Sequence, residues 1–270
     1  MTVYVSDQIN KARAQGHAAF VAYLSGGFPD VQGSIDAAKT VVDAGADIVE
    51  IGFPYSDPTM DGLVIQEAGK KALERGLKRG DMFRIVEEVA TTGAAVVIMT
   101  YYNPIFVYGV DNFARDLANA GGAGLITPDL IPEEAGEWIE ASNTYDLDRI
   151  FLVAPTSTDE RIKKTVDASR GFVYAASRMG VTGVQTSIES DAEQLVRRTH
   201  AAGATNVCVG IGVSNREQAR EVGQYADGVI VGSALVQALV KHDGDTKAGL
   251  RELRQVAEDI AAGAHSIREG

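Results

Sequence analysis

Two hydrophobic rhythms alternate along this chain. Eight short apolar runs recur at fairly even spacing: Ala19–Leu24, Ile48–Ile51, Ala95–Met99, Gly124–Ile126, Ile150–Val153, Phe172–Ala176, Asn206–Val209 and Gly228–Val231. Runs of this length bounded by turn formers fit buried strands. Between them, apolar residues repeat at three and four, the period of a helix. Ile35, Ala38 and Val42 follow the first run, with Ser34 as the expected N-cap and Gly45 as the stop. Phe113, Leu117 and Ala120 run up to Gly121, and Ala192, Leu195, Val196 and Thr199 lead to Gly203. Leu250, Leu253, Val256, Ala257 and Ile260 form a last outer helix, and the tail from Gly263 onward is expected to fray. Trp138 reads as outer-layer packing and Cys208, in mid-strand, as a small buried hydrophobe.

Eight strands alternating with helices predict one (β/α)8 TIM barrel of parallel strands, a single domain over residues 1–270. The rival is an open doubly wound sheet, but no Gly-x-Gly-x-x-Gly follows the first strand. Composition narrows the function classes. A net charge of −12 argues against nucleic acid or an anionic membrane as a partner. One cysteine excludes an internal disulfide and fits a reducing compartment. There is no signal-peptide layout and no apolar run long enough to span a bilayer, so a soluble cytoplasmic protein is expected. The four histidines are scattered, without metal-ligand spacing.

Candidate chemistry gathers on the second strand. Ile48 and Glu50 share one face, Val49 and Ile51 the other. Both faces of a parallel sheet are covered, so Glu50 should lie inside, where an ionised carboxylate is costly without a task or a partner. Pro54–Pro58 cannot continue the strand, so a loop carries Asp57 and Asp61 over its end. Asp57 fits a turn residue. Asp61, before Gly62, could be a catalytic acid, a turn residue or the N-cap of a helix beginning near Leu63. Tyr174 alternates with Phe172 and Ala176 and should point inward, with Glu50 as the expected partner of its hydroxyl. Tyr101-Tyr102-Asn103-Pro104 reaches the same rim.

Three glycine loops follow the last strands: Ser177–Gly183, Gly210-Ile211-Gly212-Val213-Ser214 and Gly232-Ser233-Ala234. Such loops either make tight turns or cradle a phosphate on backbone N–H groups at a helix N-terminus. Their recurrence at consecutive strand ends favours phosphate, and Ser233 could add a hydroxyl. No lysine or arginine stands beside Gly212 or Gly232, so amides and a helix dipole would do the binding.

The run Glu50-Ile51-Gly52-Phe53-Pro54-Tyr55-Ser56-Asp57-Pro58, followed by Asp61-Gly62 and Gln66, resembles the signature of the tryptophan synthase α subunit family. Phe20–Pro29, Ser177-Arg178-x-Gly-Val-Thr-Gly, Gly-Ile-Gly and Gly232-Ser233-Ala234 match the same family in order. The resemblance implies a carbon–carbon lyase that cleaves indole-3-glycerol phosphate to indole and glyceraldehyde 3-phosphate. It implies Glu50 and Asp61 as catalytic acids, with Tyr174 beside the first. It also implies Thr182, Gly183, Gly212, Gly232 and Ser233 at the phosphate end, and Tyr23, Met99 and Leu152 are candidates for the indole pocket. No cofactor is expected in this chain. A β-subunit partner bearing pyridoxal phosphate is implied, in an α2β2 heterotetramer. The chain departs from the common pattern at Thr59-Met60, at Leu63 and over Val184–Ser190, which bears on closure of the sixth loop. The alternatives are another phosphate-binding barrel enzyme of indole or histidine biosynthesis and a non-catalytic activating subunit. No strand end offers the general-acid lysine that the first would need.

Overall fold

Burial along the apolar runs decides the architecture. Every residue of β1 (Ala19–Ser25) and β2 (Ile48–Gly52) is buried. A strand covered on both faces needs helices outside and a filled interior. The computed structural model describes residues 2–176 and 188–268. The remaining strands are β3 (Ala95–Met99), β4 (Gly124–Ile126), β5 (Asp148–Ile150), β6 (Leu152–Val153), β7 (Val173–Ala176), β8 (Val207–Gly210) and β9 (Gly228–Val231). All pair in parallel, in the order β5-β4-β3-β2-β1-β9-β8-β7-β6.

The ends of that order are neighbours in the chain. Only Phe151 separates β5 from β6, and its carbonyl accepts from the Tyr174 N–H at 3.0 Å. β5 pairs with β4 and β6 with β7, so one interrupted segment joins the two edges of the sheet. The fifth apolar run is thus split between the sheet's two edges, and the sheet forms the expected parallel barrel.

Two cores follow from the alternation. Val49, Ile51, Val96, Ile98, Trp138 and their like pack between the strands and the helices. Val21, Ile48, Ala95, Val97, Ile126, Ile150, Phe172, Cys208 and Ile230 fill the interior. The helix Val5–Ala14 closes the end where the strands begin, placing Val5, Ile9 and Ala12 in the interior core. Sequence periodicity did not single out this helix.

Two local expectations are corrected. The helix after β1 runs Val31–Asp43, and its N-cap is Asp30, whose carboxylate accepts from the Gly33 N–H at 2.7 Å. Ser34 lies inside that helix, buried. The last helix continues through Ala264, and beyond it His265 and Arg268 are tied down where fraying was expected. His265 bonds Asp47 at 2.9 Å, and the Arg268 N–H donates to the Gly16 carbonyl at 2.9 Å. Among the described residues no helix is long and apolar enough to cross a membrane.

Gly124 marks where this barrel tolerates no side chain. A Cβ there would overlap the Asp148 carbonyl oxygen, a backbone atom fixed in the next strand. Gly124→Ala is therefore expected to lower stability by about 1–3 kcal/mol or more, read from urea unfolding. An unchanged midpoint would mean that β5 can move aside.

Candidate active site

The ladder of β2 fixes Glu50. It stands between Tyr23 of β1 and Val97 of β3 in register, on the same face as the interior residue Ile48. Its side chain is fully buried, and neither carboxylate oxygen has a hydrogen-bond partner among the described residues. Loss of hydration, and then the nearby negative charge of Asp61, push its pKa up to about 8. A carboxyl so shifted keeps its proton at neutral pH, in a place where no described residue bonds it.

Asp61 belongs to the segment 53–62, which has no regular structure. Gly62 caps the following helix, Leu63–Glu74, without a side-chain bond, so the N-cap alternative for Asp61 falls. The Asp61 carboxyl is half-buried. Burial raises its pKa, and the Tyr101 hydroxyl beside it works in the opposite direction. That hydroxyl also accepts the Met60 N–H at 2.8 Å. Asp57 is a turn residue, taking a bond from the Ser56 hydroxyl at 2.6 Å.

Two inward tyrosines form the walls around Glu50. Tyr23 is 8% exposed and lies over Gly52, where a Cβ would collide with its hydroxyl. Tyr174 lies over Gly210 of β8 in the same manner. Each ring needs a glycine on the neighbouring strand for so close an approach. The expected Tyr174–Glu50 hydrogen bond is absent, because the phenol is spent on covering β8. Burial first, and then the Glu50 charge, push the Tyr174 pKa up. Met99 and Leu152 are half-buried and pack on the interior core beside Tyr174.

At the other side of the mouth, Gly232 touches Tyr23. A Cβ on Gly232 would come within 3.2 Å of that ring. The helix Ser233–Val240 starts here with no side-chain cap, so its first N–H groups are open to an anion. The helix after Gly212 differs, since Asn215 caps it by accepting from the Gln218 N–H at 3.0 Å. Gly212 itself has a φ of 84°, a turn conformation suited to glycine. A Cβ on Gly62 would lie 3.9 Å from the Ser233 hydroxyl, so the Asp61 loop and the open helix end adjoin. Thr182, Gly183 and the departure at Val184–Ser190 lie outside the described residues, apart from the start of the helix Ile188–Ala201.

A cavity of about 410 Å³ opens at the opposite pole, lined by Asn10, Arg170 and Asn206 among others. Its polar groups are committed to one another. Arg170 pairs with Asp148 at 3.3 Å, and the Asn206 amide donates to the Gly171 carbonyl at 2.9 Å. Among the described residues the buried carboxyl without a partner, Glu50, is at the mouth.

A family model for the tryptophan synthase alpha chain matches residues 9–265. The chain belongs to the tryptophan synthase alpha chain family. It is 56% identical to the alpha chain of Bifidobacterium longum over 262 residues, 96% of this chain and 90% of that one. Identity to the Mycobacterium marinum alpha chain is 55% over 254 residues, covering 94% and 92%. A solved structure of Mycobacterium tuberculosis tryptophan synthase superposes with a TM-score of 0.90 at 50% identity, covering 100% of both chains. The family's activity is cleavage of indole-3-glycerol phosphate, so the chain is a lyase of tryptophan biosynthesis. Neither of the other readings, a different barrel enzyme or an inert activator, survives this match.

Whereas the structure places the Tyr23 and Tyr174 rings on Gly52 and Gly210, sequence reasoning saw the first only as part of the second-strand motif and the second as part of a glycine loop. It also gave no role to the side chains of Tyr101 and Gln66, which hold the Asp61 loop.

The buried proton has a consequence for stability. At low pH Glu50 is protonated in both the folded and unfolded chain. Between the free carboxyl value of 4.5 and about 8 only the unfolded chain releases the proton, so stability falls as pH rises through that window. The loss amounts to up to about 5 kcal/mol. Glu50→Gln has nothing to ionise. It is expected to match the parent near pH 5 and to exceed it by about 3–5 kcal/mol near pH 9, in denaturant titrations at both pH values.

Proposed function

We propose that Glu50 and Asp61 carry out the retro-aldol step, with Glu50 moving the proton and Asp61 holding the indole nitrogen. The observation that carries this reading is the buried Glu50, unpartnered, with its pKa near 8. Cleavage needs a proton delivered to indole C3 and a proton removed from the glycerol hydroxyl on the adjoining carbon. Protonated Glu50 gives its proton to C3, and positive charge develops on the ring nitrogen. The ionised Asp61 accepts the N–H and stabilises that charge. Glu50, now a carboxylate in a dry site, takes the hydroxyl proton. The hydroxyl oxygen becomes the aldehyde oxygen, and the electron pair of the broken carbon–carbon bond returns to the indole ring. Glu50 ends as it began, so one group serves as acid and then as base.

The phosphate is taken to bind at the open N-terminus of Ser233–Val240, with Gly212, Gly232 and Ser233 around it and Thr182 and Gly183 from the sixth loop. Tyr23, Met99, Leu152 and Tyr174 supply the walls for the indole. This chemistry asks no cofactor of the chain. Pyridoxal phosphate is assigned to a β partner that consumes the indole in an α2β2 assembly in the cytoplasm.

A surface beside the mouth supports that partner. Phe106 and Val107, on the helix Tyr102–Tyr108, are 64% and 59% exposed. Val107 lines a groove of about 320 Å³ with Pro54, Tyr55, Leu73 and Leu77, and Phe106 precedes it on the same helix. Contiguous apolar surface of this kind marks a protein interface. Asp129 holds the helix in place, accepting from the Tyr102 N–H at 2.9 Å, and Asn103 bonds Tyr55 of the Asp61 loop at 3.1 Å.

Glu50→Gln and Asp61→Asn should each fold and bind a phosphorylated indole analogue while losing about 10²–10⁴-fold in kcat for indole release. Near-parental turnover in either removes that residue from the mechanism. Phe106→Asp should leave basal indole release unchanged and weaken stimulation by added β subunit at least about tenfold, read from a titration of partner against activity. Undiminished stimulation would move the interface elsewhere.

A further inference from the structure

Asp61 is the one proposed catalytic group that no strand or helix holds. Its own N–H reaches the Pro58 carbonyl at 3.3 Å, a long bond within the same loop. Its carbonyl accepts from the side-chain amide of Gln66 at 2.8 Å, and that amide also approaches the Pro58 carbonyl at 3.5 Å. Gln66 sits in the first turn of the helix Leu63–Glu74, which is anchored through the buried Ala68 and Ala72. Its backbone N–H donates to the Gly62 carbonyl at 2.9 Å, so the side chain reaches back over the loop from a fixed base. A primary amide is suited to this task. It carries two donors on one nitrogen and no charge, whereas a carboxylate would face two carbonyl oxygens with no proton to offer. Gln66 also lines the small cavity shared by Asp61, Tyr23 and Ser25.

We infer that Gln66 is a positioning residue for the reaction, holding the peptide of Asp61 so that its carboxylate meets the substrate. The inference rests on the acid–base role of Asp61 given above. Through this latch, a rigid helix sets the geometry of a group that the loop alone would leave adrift. Displacement of a reacting group by about 1 Å can cost on the order of 10²-fold in rate, so losing the latch should be read in turnover rather than in folding.

The test is a cycle of Gln66→Met and Asp61→Asn in the full chain, with Gln66→Glu as a second variant of the same shape. Indole release from indole-3-glycerol phosphate is followed across pH, and thermal unfolding is recorded for each protein. Gln66→Met is expected to lower kcat about 10–100-fold with KM changed less than about threefold. In the Asp61→Asn background the same change should cost less than about twofold, because the residue it positions is already disabled. Gln66→Glu should regain part of the lost rate relative to the parent as pH falls, when its carboxyl recovers a proton to donate. Parental kcat in Gln66→Met, an equal loss in both backgrounds, or a rise in KM alone would overturn the inference. Asp61→Asn with parental turnover would instead overturn the role of Asp61, and the same data set separates the two failures.

Discussion

Keeping one carboxyl dry and unpaired is the constraint on which the mouth of this barrel depends. The chain buries other acids and treats them differently. Asp227 is 7% exposed but accepts from the Val207 N–H, Arg13 and His200. Although burial works against it, those partners hold its pKa down. Asp148 has Arg170 and the Val5 N–H as partners, and burial outweighs them, raising its pKa to about 6. Both lie where the strands begin, and both tie strands to the chain that covers that end. Among the described residues no cation pairs with Glu50, and Asp61 only adds to its difficulty in ionising. A barrel that pairs two buried acids at one pole and leaves one unpaired among the described residues at the other keeps its ion pairs apart from the acid proposed for chemistry.

That isolation is built from rings and missing side chains. Tyr23 and Tyr174 can lie flat across the neighbouring strands only because Gly52, Gly232 and Gly210 present no Cβ. Aromatic walls exclude water, which raises the cost of ionising Glu50 and strengthens each charge–dipole contact that a substrate would make there. The uncapped helix at Ser233 works by the same logic. Among the described residues no side chain caps its N–H groups, so an anion meets little competition there. In a chain of net charge −12, an anion bound at that helix end would depend on the local arrangement rather than on the overall field.

The strands were legible because their signal is local. Seven of the eight apolar runs became single strands and the fifth was divided between β5 and β6, since burial on both faces leaves a mark on every residue. What sequence could not show were the features that depend on partners far away in the chain. The break at Phe151 follows from the closure of the sheet. The helix Val5–Ala14 shows its apolar positions only against the barrel floor, and the tail past Gly263 is held by Asp47, Gly16 and Ala226. Asp30 outcompeted Ser34 as a cap because its carboxylate reaches the Gly33 N–H, a choice between two plausible caps that spacing alone leaves open. At the site, the inward direction of Glu50 could be read from alternation. Its lack of a bond to Tyr174 could not, because that depends on where the phenol rests across β8.

The two acids differ most in how they are held, and this decides where outside influence can enter. Glu50 is locked by ladders on both sides, in register with Tyr23 and Val97, and moving it would mean moving the sheet. Asp61 hangs from Gln66, and its neighbour Met60 from Tyr101, while Tyr55 of the same loop is bonded to Asn103. Asn103 shares its short helix with the exposed Phe106 and Val107. A protein seated on those residues would therefore lie a few bonds from Asp61 and remain insulated from Glu50. Differential contact with one arrangement of that loop is the thermodynamic requirement for control by a partner, and the loop is where two arrangements are affordable. Under the proposed mechanism, the rigid acid would set what chemistry is possible, and the suspended one when it proceeds.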